Sequence, residues 1–135
     1  MKHKVVIIED NIPLSEGFAE IINHTDDFEV VNRYSNCEDA IDNLTYDNPD
    51  VYLMDIELPG INGVEGTKYI KKALPKANII MVTVYENSDI VFDALCAGAT
   101  GYLTKNLKPD ELIDALKETI AGGAPMSIKI AKMVV

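Results

Sequence analysis

Three uninterrupted apolar runs constrain this chain more than any other feature: residues 5–8 (VVII), Val51–Met54 (VYLM) and residues 79–82 (IIMV). Each is too short for a buried helix and none alternates with polar residues. A run of this kind fits a strand buried on both faces, which is the situation of a strand in a parallel sheet covered by helices on either side. The first two runs also end abruptly in acids. "KVVIIED" stops at Glu9 and Asp10, and "DVYLMDIELPG" stops at Asp55.

Between the runs lie segments with helical spacing. Pro13 sits near a helix start, where its missing N–H costs little, and Leu14, Phe18, Ile21 and Ile22 follow on one face. Residues 29–34, "EVVNRY", read as a weaker strand. Cys37, Ala40, Ile41 and Leu44 mark a second helix, and "YDNPD" breaks the chain before the third strand. "LPGING" is a turn-rich loop leading into a helix over residues 64–74. A fourth helix over 90–97 is closed by Gly98, residues 102–103 form a short strand, and a fifth helix over 109–121 ends before Gly122-Gly123. Strictly alternating strands and helices predict an α/β fold: a doubly wound, five-stranded parallel sheet with five helices. The tail "APMSIKIAKMVV" reads as a loop with a helix starting at Ser127 and no partner elsewhere in the chain.

The chain has 135 residues, enough for one domain, and a formal net charge of −10. So acidic a surface does not suit general phosphate-backbone binding; it suits a cation or a basic partner. Cys37 and Cys96 lie in apolar helical patterns without a C-x-x-C or Cys/His cluster, so both read as reduced core thiols rather than disulfide or zinc ligands. His3 and His24 are isolated and read as surface residues. No signal peptide and no membrane-length segment is visible, which predicts a cytoplasmic protein that does not engage a membrane.

In open parallel sheets, sites form beyond the carboxyl ends of the strands. Here those ends carry Glu9 and Asp10, Asp55, Thr83 and Lys105. Three carboxylates in one place repel unless a cation intervenes, and an oxygen-only set without His or Cys suits Mg²⁺ rather than zinc. An aspartate can act as a nucleophile toward phosphorus, and phosphoryl transfer needs chiefly positioning and charge neutralisation, which a metal and Lys105 supply. Taken singly, Asp10 and Asp55 are ordinary turn or cap residues, Thr83 a strand choice and Lys105 a loop lysine. Together at successive strand ends they share one role set.

These motifs resemble the receiver domain of bacterial two-component response regulators. The resemblance runs from about Lys4 to Gly122 and rests on "IIED", "YLMDIELPGINGVEG", "MVTVYEN" and "AGATGYLTK", with D-I-x-L-P-G-x-x-G around Asp55 as its most specific element. It implies a flavodoxin-like strand order 2-1-3-4-5. It implies Asp55 as both phosphoacceptor and metal ligand, Asp10 as a direct Mg²⁺ ligand, Glu9 as a ligand through water and the Glu57 backbone carbonyl as a further ligand. Thr83 and Lys105 would contact the phosphoryl group, and Thr83 with Tyr102 would form the switch that remodels the fourth helix, fifth strand and fifth helix. Glu57, Val84 and Tyr85 occupy positions that tune phosphate lifetime; many receivers carry Ala or Ser where Val84 stands, so its bulk is expected to narrow the approach to Asp55.

Within that family, "VYENSDIVFDALCAGATGYLTKN" and "AGGAPMSIKIAKMVV" look like regulators of the LuxR/FixJ (NarL) type. The implied organisation is a receiver over residues 1–122 and, over 123–135, the start of a linker toward a helix-turn-helix domain that is not in this chain. The implied partners are a sensor histidine kinase, a second copy on phosphorylation, and DNA only through that output domain. Three other readings compete. One is a stand-alone receiver acting through protein contacts. A phosphohydrolase with an aspartyl-phosphate intermediate is a second, but Asp55-Ile56-Glu57 is D-x-E rather than the usual D-x-D, and no cap domain is evident. A flavin-binding module is a third, but the acids in "EDNIPLS" would repel phosphate.

Overall fold

A computed structural model describes all 135 residues. Five strands form one sheet: β1 (His3–Ile8), β2 (Phe28–Tyr34), β3 (Val51–Met54), β4 (Asn78–Thr83) and β5 (Gly101–Thr104). Every neighbouring pair is parallel, in the order β2-β1-β3-β4-β5. The three apolar runs are the three inner strands, β1, β3 and β4, and alternate residues serve opposite faces. Val5, Ile7, Val51, Leu53, Ile80 and Val82 pack against α1 (Ile12–Asn23) and α6 (Pro109–Ile120). Val6, Ile8, Tyr52, Met54, Ile79 and Met81 pack against α2 (Cys37–Asp42), α3 (Leu44–Asp47), α4 (Gly63–Ala73) and α5 (Ser88–Ala97).

There are seven helices rather than five. The predicted second helix is broken at Asn43, whose backbone leaves helical geometry (φ −116°, ψ 15°) while its side-chain amide donates to the Asp39 carbonyl at 2.9 Å. The segment read over 90–97 therefore becomes α5. Gly98 closes it in the left-handed region, φ 113°, as its position in the sequence implies. Cys37 is buried, as read, but Cys96 is exposed. Val91, Ala94 and Ala97 are the buried positions of α5, and Cys96 falls outside that stripe.

The other helix beyond five is α7 (Ile128–Val134), and the segment before it has the partner that its sequence did not reveal. The Tyr102 N–H donates to the Pro125 carbonyl (2.9 Å) and the Ser127 N–H donates to the Tyr102 carbonyl (3.1 Å), so residues 125–127 close the outer edge of β5. Ile130 of α7 is fully buried, and Lys129 reaches Glu86 at 2.6 Å.

Three tyrosines are held neutral by the core. Burial, and after it the negative charge of Asp47, pushes the Tyr52 phenol up to about 12; burial, and after it Asp55, pushes Tyr102 up to about 12. Burial and a hydrogen bond to Asp47 push Tyr34 up as well. Below pH 10 both folded and unfolded phenols are neutral. Above it the unfolded chain loses protons first, so stability is expected to fall as pH rises from about 10 toward 12. A urea midpoint that drops across this window, with the phenolate absorbance of these three tyrosines appearing only on unfolding, would bear this out; a flat midpoint would not. The Tyr52 hydroxyl is buried without a partner, so Tyr52→Phe should cost nothing at neutral pH and remove one of the three contributions to the alkaline fall.

Candidate functional site

The sheet ladder continues past the strand ends and fixes the backbone of the site. Glu9 N–H donates to the Tyr34 carbonyl (2.9 Å), Asp55 N–H to the Ile8 carbonyl (3.0 Å) and Lys105 N–H to the Thr83 carbonyl (3.0 Å). Each is positioned by the neighbouring strand, so the topology itself brings residues far apart in sequence to one rim.

At the rim the side chains meet. Lys105 Nζ lies 2.8 Å from Glu9 Oε1 and 2.9 Å from Asp55 Oδ2. The second oxygen of Asp55 accepts the Ile56 N–H (2.8 Å), and the second oxygen of Glu9 accepts the Asn11 N–H (3.0 Å). Glu9 and Asp55 are buried, 3% and 5% exposed, while Asp10 is exposed beside them. One carboxylate oxygen from each of the three acids lies within 4.8 Å of the others. Three carboxylates face one ammonium, leaving an excess of two negative charges that one divalent cation would balance. The donor set is all oxygen, which fits a hard cation. The Glu57 carbonyl, on the loop after Asp55, accepts no hydrogen bond from the protein and is free to add a fourth oxygen.

Burial works on both partners of this cluster. Desolvation raises the Glu9 carboxyl above the ordinary range, and the hydrogen bonds from Lys105 and the Asn11 N–H offset only part of that. Desolvation pulls the Lys105 ammonium down, but its hydrogen bonds to Glu9 and Asp55 outweigh it, so the ammonium is held more firmly than a free lysine's. Lys105 stays charged throughout the neutral range.

The remaining predicted residues form a second group. Thr83 is fully buried at the end of β4, and its hydroxyl accepts the Tyr85 N–H at 3.4 Å rather than reaching Asp55. Val84, which follows Thr83, is 64% exposed. Tyr102 does not place its hydroxyl in water: it is fully buried, and the hydroxyl donates to the Tyr85 carbonyl at 2.7 Å. Tyr85 in turn donates its own hydroxyl to the Glu57 carboxylate (2.8 Å). Glu57, Tyr85 and Tyr102 thus form a hydrogen-bonded path from the loop after Asp55 to β5, where residues 125–127 are attached. That path joins residues of three separate strand–helix units, and only the fold shows it.

Comparison with known proteins bears on the fold. The family described as response regulator receiver domain matches residues 5–117. The chain is 37% identical over 123 residues to the transcriptional regulatory protein YxjL of Bacillus subtilis strain 168, covering 91% of this chain and 56% of that protein. It is 36% identical over 129 residues to the transcriptional regulatory protein DegU of Brevibacillus brevis, covering 96% and 55% respectively. It therefore spans little more than half the length of these curated relatives. Among solved structures, a LuxR-family two-component response regulator from Aurantimonas sp. SI85-9A1 superposes with a TM-score of 0.93 at 30% identity, over 99% of this chain and 96% of that one.

Proposed function

The chain belongs to the response regulator receiver domain family, of the LuxR/NarL/DegU type, and from that premise we propose how its residues perform as a phosphorylation-controlled switch. The observation that carries the reading is the single lysine bridging Glu9 and Asp55, with Asp10 beside them, at the carboxyl ends of the strands. Asp55 is the phosphoacceptor. One of its carboxylate oxygens attacks the phosphorus of a phosphohistidine on a sensor kinase, the P–N bond breaks, and the released ring nitrogen takes a proton. The all-oxygen acidic pocket fits Mg²⁺, which would supply charge neutralisation on the phosphoryl oxygens. Asp10, Asp55 and the Glu57 carbonyl would hold it, with Glu9 contributing through water. Lys105 shifts its ammonium from the free carboxylate toward the phosphoryl group, and Thr83 turns its hydroxyl to donate to a phosphoryl oxygen. Self-phosphorylation and later loss of the phosphate are the limit of the chemistry; receivers signal rather than turn over a substrate.

Movement of Thr83 pulls on the Tyr85 amide that it now accepts, and Tyr85 holds Tyr102, so the switch reaches α5, β5 and α6. Glu57, Val84 and Tyr85 set how long the phosphate lasts. Residues 1–122 act as the receiver and 123–135 as the beginning of the connection to a helix-turn-helix output domain, through which DNA is bound. A second copy joins on phosphorylation. No helix is long and apolar enough to cross a membrane, and we place the switch in the cytoplasm. Beryllofluoride with Mg²⁺ mimics the phosphoryl group and tests the switch. Amide resonances of Thr83, Tyr102 and residues 126–127 should shift together; changes confined to the neighbours of Asp55 would contradict it.

A further inference from the structure

The loop between β3 and α4 carries Asp55 at its start and Glu57 two residues on, yet little holds its second half. Asp55 N–H is held by the Ile8 carbonyl and Gly63 N–H donates to the Ile56 carbonyl at 2.8 Å; between them the loop backbone has a weak contact from the Cys37 thiol to the Asn62 carbonyl at 3.8 Å and one strong bond to another segment. Glu38, in the first turn of α2, accepts the Ile61 N–H on Oε2 at 3.0 Å. The same carboxylate lies against Gly60, whose backbone is left-handed at φ 78°. A Cβ on Gly60 would fall 2.2 Å from Glu38 Oε2 and 2.8 Å from its Cδ, so the bare glycine is what lets the carboxylate reach the next amide. Cys37, the neighbour of Glu38, is packed against Gly66 and anchors this turn of α2 to α4.

We infer that Glu38 is a positioning residue for the site: by holding the Ile61 N–H across Gly60 it fixes the loop that turns the Glu57 carbonyl toward the divalent cation. Glu38 touches neither metal nor phosphoryl group. It acts by removing loop conformations in which the carbonyl points elsewhere, so its contribution is to cation affinity rather than to the rate once the cation is bound. The inference rests on the metal reading above.

The test measures Mn²⁺ and Mg²⁺ binding by calorimetry, hydrogen exchange at the Ile61 amide, and phosphate incorporation at saturating Mg²⁺. Glu38→Ala should weaken cation binding about three- to tenfold, the effect of losing one bond to a carboxylate at a partly exposed position, and should speed exchange at Ile61. Incorporation at saturating Mg²⁺ should stay within about twofold of the parent. Glu38→Gln keeps an acceptor oxygen and should bind within about twofold of the parent, whereas Glu38→Asp keeps the charge but cannot reach and should resemble Glu38→Ala. Parent-like binding in Glu38→Ala, or Glu38→Gln as weak as Glu38→Ala, would overturn the inference alone. A parent whose cation binding is absent, or unaffected by Asp10→Asn, would overturn the metal reading and the inference with it.

Discussion

Lys105→Met is expected to slow Mg²⁺-dependent phosphate incorporation at Asp55 by on the order of 10²- to 10³-fold, the usual cost of removing one group aimed at developing charge. Methionine keeps the length and apolar stem of lysine and removes the ammonium that now sits 2.9 Å from Asp55 and 2.8 Å from Glu9. Two further signs follow from the same geometry. Without metal, the two buried acids lose their shared cation, so stability should drop by about 1–3 kcal/mol. That is less than the 3–5 kcal/mol typical of breaking a fully buried pair, because Lys105 keeps 20% exposure. With the competing positive charge gone, Mg²⁺ should bind several-fold more tightly, and it should restore the lost stability by mass action. Slower transfer together with tighter metal binding separates loss of a phosphoryl contact from general damage to the site. A Lys105→Met protein that takes up phosphate at the parent rate would show that the lysine only pairs with the acids at rest.

Gly63→Ala should damage the fold and the site together. Gly63 opens α4 in ordinary backbone geometry, so the need for glycine there is one of space. A Cβ would lie 2.0 Å from the Asp55 carbonyl oxygen and 2.9 Å from both the Asp55 carbonyl carbon and Ile56 Cα. All three are backbone atoms, and no rotamer change can move them. The loop and α4 must separate, breaking the bond from Gly63 N–H to the Ile56 carbonyl. We expect a loss of about 3 kcal/mol or more, a fall of roughly 10 °C or more in Tm for a domain of this size, and little phosphate uptake even in the folded fraction. Gly17→Ala is the control. It lies inside α1 with nothing within 4 Å of its would-be Cβ, so alanine should stabilise the protein by about 0.5–1 kcal/mol. Equal Tm values for the two variants would refute the packing argument.

The sheet was legible because its inner strands must be apolar on both faces, a demand that leaves uninterrupted runs in the sequence. That Glu9, Asp10, Asp55 and Lys105 meet was legible because a parallel sheet gathers its strand ends on one rim; that the Thr83 hydroxyl turns to the Tyr85 amide instead was not. The break at Asn43 was not, since the apolar spacing of Cys37, Ala40, Ile41 and Leu44 continues across it and the interruption is a matter of one residue's backbone and amide. Cys96 misled for a related reason: one helical stripe of α5 is buried, and an apolar neighbourhood in sequence does not say which positions fall on it. The tail's pairing with Tyr102 and the reach of Glu38 to Ile61 join segments 23 to 25 residues apart through single backbone groups. Bonds of that kind leave no periodicity to read, although Gly60, the first glycine of "LPGING", marks where one of them passes.

The most direct test of the central claim is the intact mass of the protein after incubation with Mg²⁺ and a small phosphodonor, beside Asp55→Asn. The structure predicts a single phosphoryl adduct on the parent, not formed when Mg²⁺ is chelated beforehand and absent from Asp55→Asn throughout. An adduct that persists in Asp55→Asn, or that forms equally well without a divalent cation, would contradict the assignment of Asp55 and of the acidic cluster around it.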